Sequence, residues 1–271
     1  MGNEKKILTD FSHETLVKAI HNSWNSMMIL FAGSSLYERL ETPELTSIAS
    51  DLEISMFNRV IATQLTPEDA DERIQETIKY YSSRGLPFTW QVDPGNTPPD
   101  LPERLERFGL MRSETPGMAV VLDEVKIPET PEGFRLERVE TPEQNRRYAG
   151  LLVHAYGIPA FAEETMMKIY EEMGIRDDLR HYLGYYEDTP VATASVLYSD
   201  GVAGIYNVAT MPEARGKRIG SSITAAPLID ARERGYSISI LHSSDMGYNV
   251  YRRLGYQEIC RLIRYEWTPP S

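Results

Sequence analysis

The residues best placed to do chemistry are 213–220, Glu-Ala-Arg-Gly-Lys-Arg-Ile-Gly, between an apolar strand-like run, Ile205 to Thr210, and a helix-like run that starts near Ile219. At such a junction the first backbone N–H groups of the helix have no partner within the helix, and the helix dipole adds partial positive charge. Gly216 and Gly220 carry no Cβ, so a diphosphate can approach the backbone, and Arg215, Lys217 and Arg218 supply mobile charge. Ile219 and Ser221 complete the first helical turn. The ligand implied is a phosphate-bearing cofactor.

Other reactive side chains give weaker signals. Cys260 is the single cysteine, so it forms no internal disulfide, and its strand-like surroundings read as a buried structural thiol in a reducing, cytoplasmic setting. The five histidines show no pair at metal-ligand spacing, so no metal site is expected. The pairs Glu163/Glu164 and Glu171/Glu172 read as solvated helix faces, or as an acidic mouth attractive to an ammonium substrate.

The cradle must be positioned by a sizeable core, which 271 residues with 41% hydrophobic content can bury. Forty acidic against 28 basic residues give a net charge of -12, which argues against a nucleic-acid or anionic-membrane surface. No apolar run is long enough for a membrane span, and the opening residues Met1 to Lys6 read as carrying no export or acylation signal. Periodicity predicts helices over 10–31, 67–84 and 101–108 and strands near 36–40, 45–49, 55–63, 88–92 and 118–122. A proline-rich, charged segment, 123–133, reads as a linker. Beyond it, strands are expected at 134–139, 181–186, 191–198, 205–210, 238–242 and 259–267, with helices at 142–156, 162–173, 219–234 and 246–254. Pro227 lies inside the cradle helix, where a kink or local bulge is expected.

The two halves repeat. Asn58-Arg59-Val60-Ile61-Ala62-Thr63 resembles Tyr206-Asn207-Val208-Ala209-Thr210, and Leu105 to Leu110 resembles Tyr251 to Tyr256. Where the second half has its basic turn, the first has Thr66-Pro67-Glu68-Asp69-Ala70-Asp71-Glu72, a poor diphosphate site. The expected organisation is an N-terminal domain over 1–125, structural or substrate-shaping, and a catalytic domain over 126–271.

Over 131–269 the chain resembles the GCN5-related N-acetyltransferase (GNAT) superfamily, and 1–125 looks like a degenerate second copy. Arg215-Gly216-Lys217-Arg218-Ile219-Gly220 is similar to that family's acyl-CoA pyrophosphate motif, with Arg218 where a glycine is usual. Ser244 to Tyr256 is similar to its tyrosine-bearing helix followed by Gly and an aromatic. The resemblance implies an α+β fold of two GNAT-like domains, each a twisted mixed, mostly antiparallel sheet flanked by helices. It implies acetyl-CoA as acyl donor, pantetheine paired along 206–210, the Val208 N–H on the thioester oxygen, Thr210 pairing with pantetheine, Ser244 at the helix start, and Tyr251 as the acid that protonates the departing thiolate. Many relatives carry a Glu four residues before the Val208 position, and this chain has Gly204 there. His242 is the first candidate base, and His154 and Tyr156 are others. The acceptor expected is a small-molecule primary amine, because a cleft closed by a second domain suits a compact substrate. A peptide or protein amine, and a non-catalytic acyl-CoA-binding protein, are the alternatives. A homodimer is left open.

Overall fold

The computed structural model describes residues 7–270, so Met1 to Lys6, read above for an address signal, lie outside the described residues. In chain order the elements are α1 (His13–Ala32), β1 (Glu38–Glu41), β2 (Leu45–Ala49), β3 (Arg59–Thr63), α2 (Ala70–Ser82), β4 (Phe88–Val92), α3 (Leu101–Arg107), β5 (Met111–Val121), β6 (Phe134–Arg138), α4 (Pro142–Tyr156), α5 (Ala160–Met173), β7 (Leu179–Tyr186), β8 (Thr189–Ser199), β9 (Val202–Thr210), α6 (Ile219–Glu233), β10 (Ile238–His242), α7 (Asp245–Leu254) and β11 (Gln257–Trp267). The chain forms two compact units that do not follow chain order. One comprises residues up to Met27 with Pro116–Cys260, and the other Met28–Thr115 with residues from Arg261 onward.

In the first unit β6, β7, β8 and β9 pair antiparallel in sequence, β9 runs parallel to β10, and β10 pairs antiparallel with the end of β5. Side chains alternate across this sheet. Ala194 and Val196 of β8 join the core with Ile219, Ile223 and Leu228 of α6, whereas Ser195 between them meets Tyr148 of α4. Helix α1 covers the α4 side of β9, where the Ser23 and Tyr206 hydroxyls lie 2.9 Å apart. Thr141 starts α4 in a reciprocal cap: its hydroxyl accepts from the Gln144 N–H at 3.2 Å and the Gln144 side chain accepts from the Thr141 N–H at 2.9 Å, worth about 1 kcal/mol. Asp230 ties α6 to β7 and β8, accepting from Arg180 at 2.7 Å, from the Tyr198 hydroxyl at 2.6 Å and from the Tyr182 hydroxyl at 2.9 Å. Helix α6 is continuous through the buried Pro227.

The second unit repeats the connectivity. β1, β2 and β3 pair antiparallel, β3 runs parallel to β4 with α2 between them in sequence, and β4 pairs antiparallel with the end of β11. Its core is built from Tyr81, Phe88, Trp90, Leu101, Leu105 and Tyr265. β3 and β4 pair through only Arg59 and Val60, and the gap beyond is filled locally. The Trp90 indole N–H donates to the Thr63 hydroxyl at 2.9 Å, and the Asn96 side chain donates to the Thr63 carbonyl at 3.2 Å. Asp71 of the acidic stretch is engaged by Arg104 at 2.8 Å and by Arg107 at 3.1 Å.

Candidate active site

The site grows from β9. β9 and β10 stay paired only over Ala203, Gly204 and Ile205, so from Tyr206 to Thr210 one edge of β9 has no strand beside it within its unit. On its other edge the register with β8 shifts: Tyr206 lies opposite Ser195 and Ala209 opposite Thr193, so Asn207 and Val208 together face Ala194. Such a two-against-one bulge re-aims the backbone. Asn207 takes the left-handed conformation (φ 54°), which Asn tolerates better than most residues, and its carbonyl accepts from the Thr193 hydroxyl at 2.8 Å.

After β9 a short 3₁₀ turn, Pro212–Ala214, leads into the cradle. Gly216 has φ 80°, a conformation that a side chain would strain. Arg218, where the motif usually has Gly, is itself left-handed at φ 61°, so the tight turn forms with a non-glycine residue at a cost of about 1–2 kcal/mol. No side chain caps α6, and the first recorded turn bond runs from the Ser222 N–H to the Arg218 carbonyl at 3.1 Å. The N–H groups of Ile219, Gly220 and Ser221 therefore have no intrahelical acceptor. Arg215 donates to the Thr210 carbonyl at 3.1 Å, which holds the cradle against the end of β9. Lys217 turns away, its ammonium 4.3 Å from the centre of the Tyr186 ring.

These residues open onto a cavity of about 1020 Å³, walled by Val208, Thr210, Arg215, Gly216, Arg218, Ile219, Gly220, Ser221, Ser244 and Tyr251, together with residues that sequence reasoning passed over. Among those are Lys126 and Arg253. Lys126 was hidden in a segment read as linker, and Arg253 in the charged flank of a helix. The wall thus holds four cationic side chains and no Asp or Glu, in a chain of net charge -12. Lys217 is not in the wall.

Ser244 caps α7, its hydroxyl accepting from the Gly247 N–H at 3.2 Å. Gly247 makes room for the phenol: a Cβ there would lie 2.8 Å from the Tyr251 ring. Tyr251 is 7% exposed, its hydroxyl makes no hydrogen bond among the described residues, and burial pushes its pKa above the usual phenol range. It is neutral at pH 7 and holds a proton that it can donate.

The other candidates fall elsewhere. His242 ends β10 on the α1 side, its ring 4.8 Å from that of Trp24 and 6.1 Å from that of Tyr206, and is not in the cavity wall. His154 bonds back to the Gly150 carbonyl at 2.7 Å, while Tyr156 stands in the wall. Gly204 is bare for a steric reason: a Cβ there would lie 2.6 Å from the Ser23 hydroxyl and 2.7 Å from the Tyr206 ring. Cys260 is half-buried and its thiol is pushed up to about 11 by burial, the opposite of an activated nucleophile. Among the described residues no group of three or more His, Cys, Asp or Glu could hold a metal ion, and no helix is long and apolar enough to cross a membrane.

Residues 201–259, which carry β9, the cradle and α7, match the acetyltransferase (GNAT) domain family. Solved structures share the fold across nearly the whole chain. A GCN5-related N-acetyltransferase from Kribbella flavida is 21% identical, with 93% of this chain and 96% of that one aligned at a TM-score of 0.67. A tandem GNAT protein from the clavulanic acid biosynthesis pathway is 15% identical, over 94% and 96% at 0.63. A GCN5-related N-acetyltransferase from Sphaerobacter thermophilus is 16% identical, over 96% and 93% at 0.62. No curated protein matches the sequence. The chain therefore has the GCN5-related N-acetyltransferase fold, and the segment that matches the acetyltransferase domain family supplies most of the cavity wall.

Proposed function

We propose that the chain is an acyl-CoA-dependent N-acyltransferase that moves acetyl from acetyl-CoA to a small-molecule primary amine by direct transfer. The observation that carries this reading is the cavity: an uncapped helix N-terminus and four cations, without a carboxylate, leading to the unpaired edge of β9. A diphosphate suits the first, because backbone N–H groups and guanidinium groups both favour an anion there. A pantetheine arm suits the second, since its amides can pair with the backbone of 206–210 as a strand would.

In this reading the amine nitrogen attacks the thioester carbon, the C–N bond forms, and the oxygen gains negative charge that the Val208 N–H stabilises. The C–S bond then breaks, and Tyr251 gives its proton to the thiolate. With the strand carboxylate sterically barred at Gly204 and His242 outside the cavity wall, against Trp24 and Tyr206, the amine proton is released to solvent water. The unit built on β1 to β4 is taken as a structural copy, because Thr63 and Asp71, at the places of Thr210 and the cradle, are already engaged.

The test is release of CoA thiol from acetyl-CoA against small amines, amino acids and short peptides, with binding of acetyl-CoA measured in parallel. Turnover with small amines is expected. Turnover with peptides alone would move the acceptor to a peptide amine, and binding without turnover on any acceptor would make the chain an acyl-CoA sensor.

A further inference from the structure

On the side of the sheet away from α6, a buried polar cluster gathers around the bulge, and the transfer chemistry just described does not use it. The Asn207 side-chain amide donates to the Tyr170 hydroxyl at 3.0 Å and to the Ser195 hydroxyl at 3.4 Å, which engages both amide hydrogens. Ser195 in turn lies 2.8 Å from His181 Nδ1 and shares a short hydrogen bond with the Tyr148 hydroxyl. The Tyr148 and His181 rings stack, with centroids 4.3 Å apart. The Tyr170 carbonyl accepts from Asn145 at 2.7 Å, which fixes α5 to α4. His181, Ser195, Tyr148 and Tyr170 are all at most 3% exposed, so in this low-dielectric setting each bond is strong and each lost partner is costly. The backbone end of Asn207 is also held, by the Thr193 hydroxyl on its carbonyl.

A left-handed Asn inside a strand relaxes unless something holds it, because even for Asn that conformation is less favourable than extended backbone. Here the side chain and the carbonyl of Asn207 are pinned by three separate residues, and the next residue is Val208. We infer that Asn207 is a positioning residue for acyl transfer: its clamp by Tyr170, Ser195 and Thr193 locks the bulge and so pre-aims the Val208 amide at the thioester oxygen. The inference rests on the acyltransferase reading and adds to it the residues that set the oxyanion donor in place. A donor fixed in advance does not reorganise during the reaction, which is where such a group gains most of its value. Burial holds His181 near pKa 3, so the cluster stays neutral through the physiological range and acts by geometry rather than by proton transfer.

Tyr170→Phe and Asn207→Gly test it, since Phe removes one hydroxyl and Gly keeps access to the left-handed region while losing the clamp. Two ligands separate positioning from binding: S-ethyl-CoA, which has no carbonyl, and an acetyl-CoA analogue with a methylene in place of the thioester sulfur, which keeps it. Wild type should prefer the ketone analogue by about fivefold, in line with one hydrogen bond between neutral groups. In both variants this preference should fall to near unity, with S-ethyl-CoA affinity unchanged within about twofold, KM for acetyl-CoA raised by no more than the lost preference, and kcat lowered about tenfold or more. The double variant should be no worse than Asn207→Gly alone, because both changes remove one interaction. Retained preference and unaltered kcat in the variants would overturn the inference, as would parallel loss of S-ethyl-CoA affinity, the mark of a merely structural role. Failure of wild type to bind either ligand would overturn the acyltransferase reading and the inference with it. Should Asn207→Gly not fold, Tyr170→Phe decides alone.

Discussion

The Ser23 hydroxyl occupies the space that a side chain on Gly204 would need, 2.6 Å from where its Cβ would sit. A residue of α1 thereby decides what β9 can carry at a position where many members of the resembled superfamily hold a carboxylate. Gly204→Ala should cost about 1–3 kcal/mol, the usual range for overpacking a filled site. Urea unfolding of Gly204→Ala with and without Ser23→Ala measures this. Partial recovery in the double variant is expected, because the Tyr206 ring still presses on the added methyl.

Tyr251→Phe keeps the ring against Gly247 and removes the transferable proton. Turnover should fall by about 10²-fold, at the low end for loss of a general acid, with the dissociation constant for acetyl-CoA unchanged within about twofold. Because burial raises the Tyr251 pKa, wild-type kcat should show no alkaline loss from this group below pH 10. A pH series of kcat on both proteins checks each statement.

Much of this was legible in the sequence. Strands β4, β9 and β10 and helices α4, α6 and α7 announced themselves by periodicity, caps and flanking glycines, and the cradle by its basic residues between an apolar strand and a helix. The wall residues Lys126 and Arg253 were not, because a lone cation in a linker or on a helix flank reads as solvated until the fold turns it inward. Asn207 left one trace, a polar residue inside an apolar strand, but its partners come from α5 and β8, with His181 of β7 bonded to one of them, and no local pattern links positions 170, 181, 195 and 207. The interleaving of the two units was likewise invisible: β5 ends beside β10, and β11 ends beside β4, by pairings that sequence order does not suggest.

His181 makes stability depend on acidity. Its folded pKa is depressed by burial to about 3, below the ordinary imidazole value of 6.5, so the unfolded chain binds the extra proton first. The contribution is complete above pH 6.5 and is lost as pH falls from there toward 3, at about 1.4 kcal/mol per pH unit. Unfolding free energies between pH 7 and 4 should show this slope in wild type. His181→Gln, which cannot titrate, should show a slope shallower by about that amount.

Asp230 is the electrostatic fastener of α6. With Arg180 and two buried phenols directed at it, Asp230→Ala leaves two hydroxyls without their acceptor and Arg180 with Asp177 alone. A loss of about 2–3 kcal/mol is expected, typical of leaving two buried hydroxyls without an acceptor. Equilibrium unfolding in urea gives the number, and the slope against urea should be unchanged.

The central claim, that the cavity at the start of α6 receives the diphosphate of an acyl-CoA, is tested most directly by calorimetric titration of acetyl-CoA into wild type and Gly220→Asp. The substitution places a carboxylate at the helix N-terminus, where it favours the helix but repels an anion, and the position has room, with the nearest atom 3.6 Å from an added Cβ. The account predicts saturable binding to wild type, and affinity lowered by about tenfold or more in a variant whose unfolding midpoint is unchanged or raised. Equal affinity in the two proteins, or no binding to wild type, would contradict it.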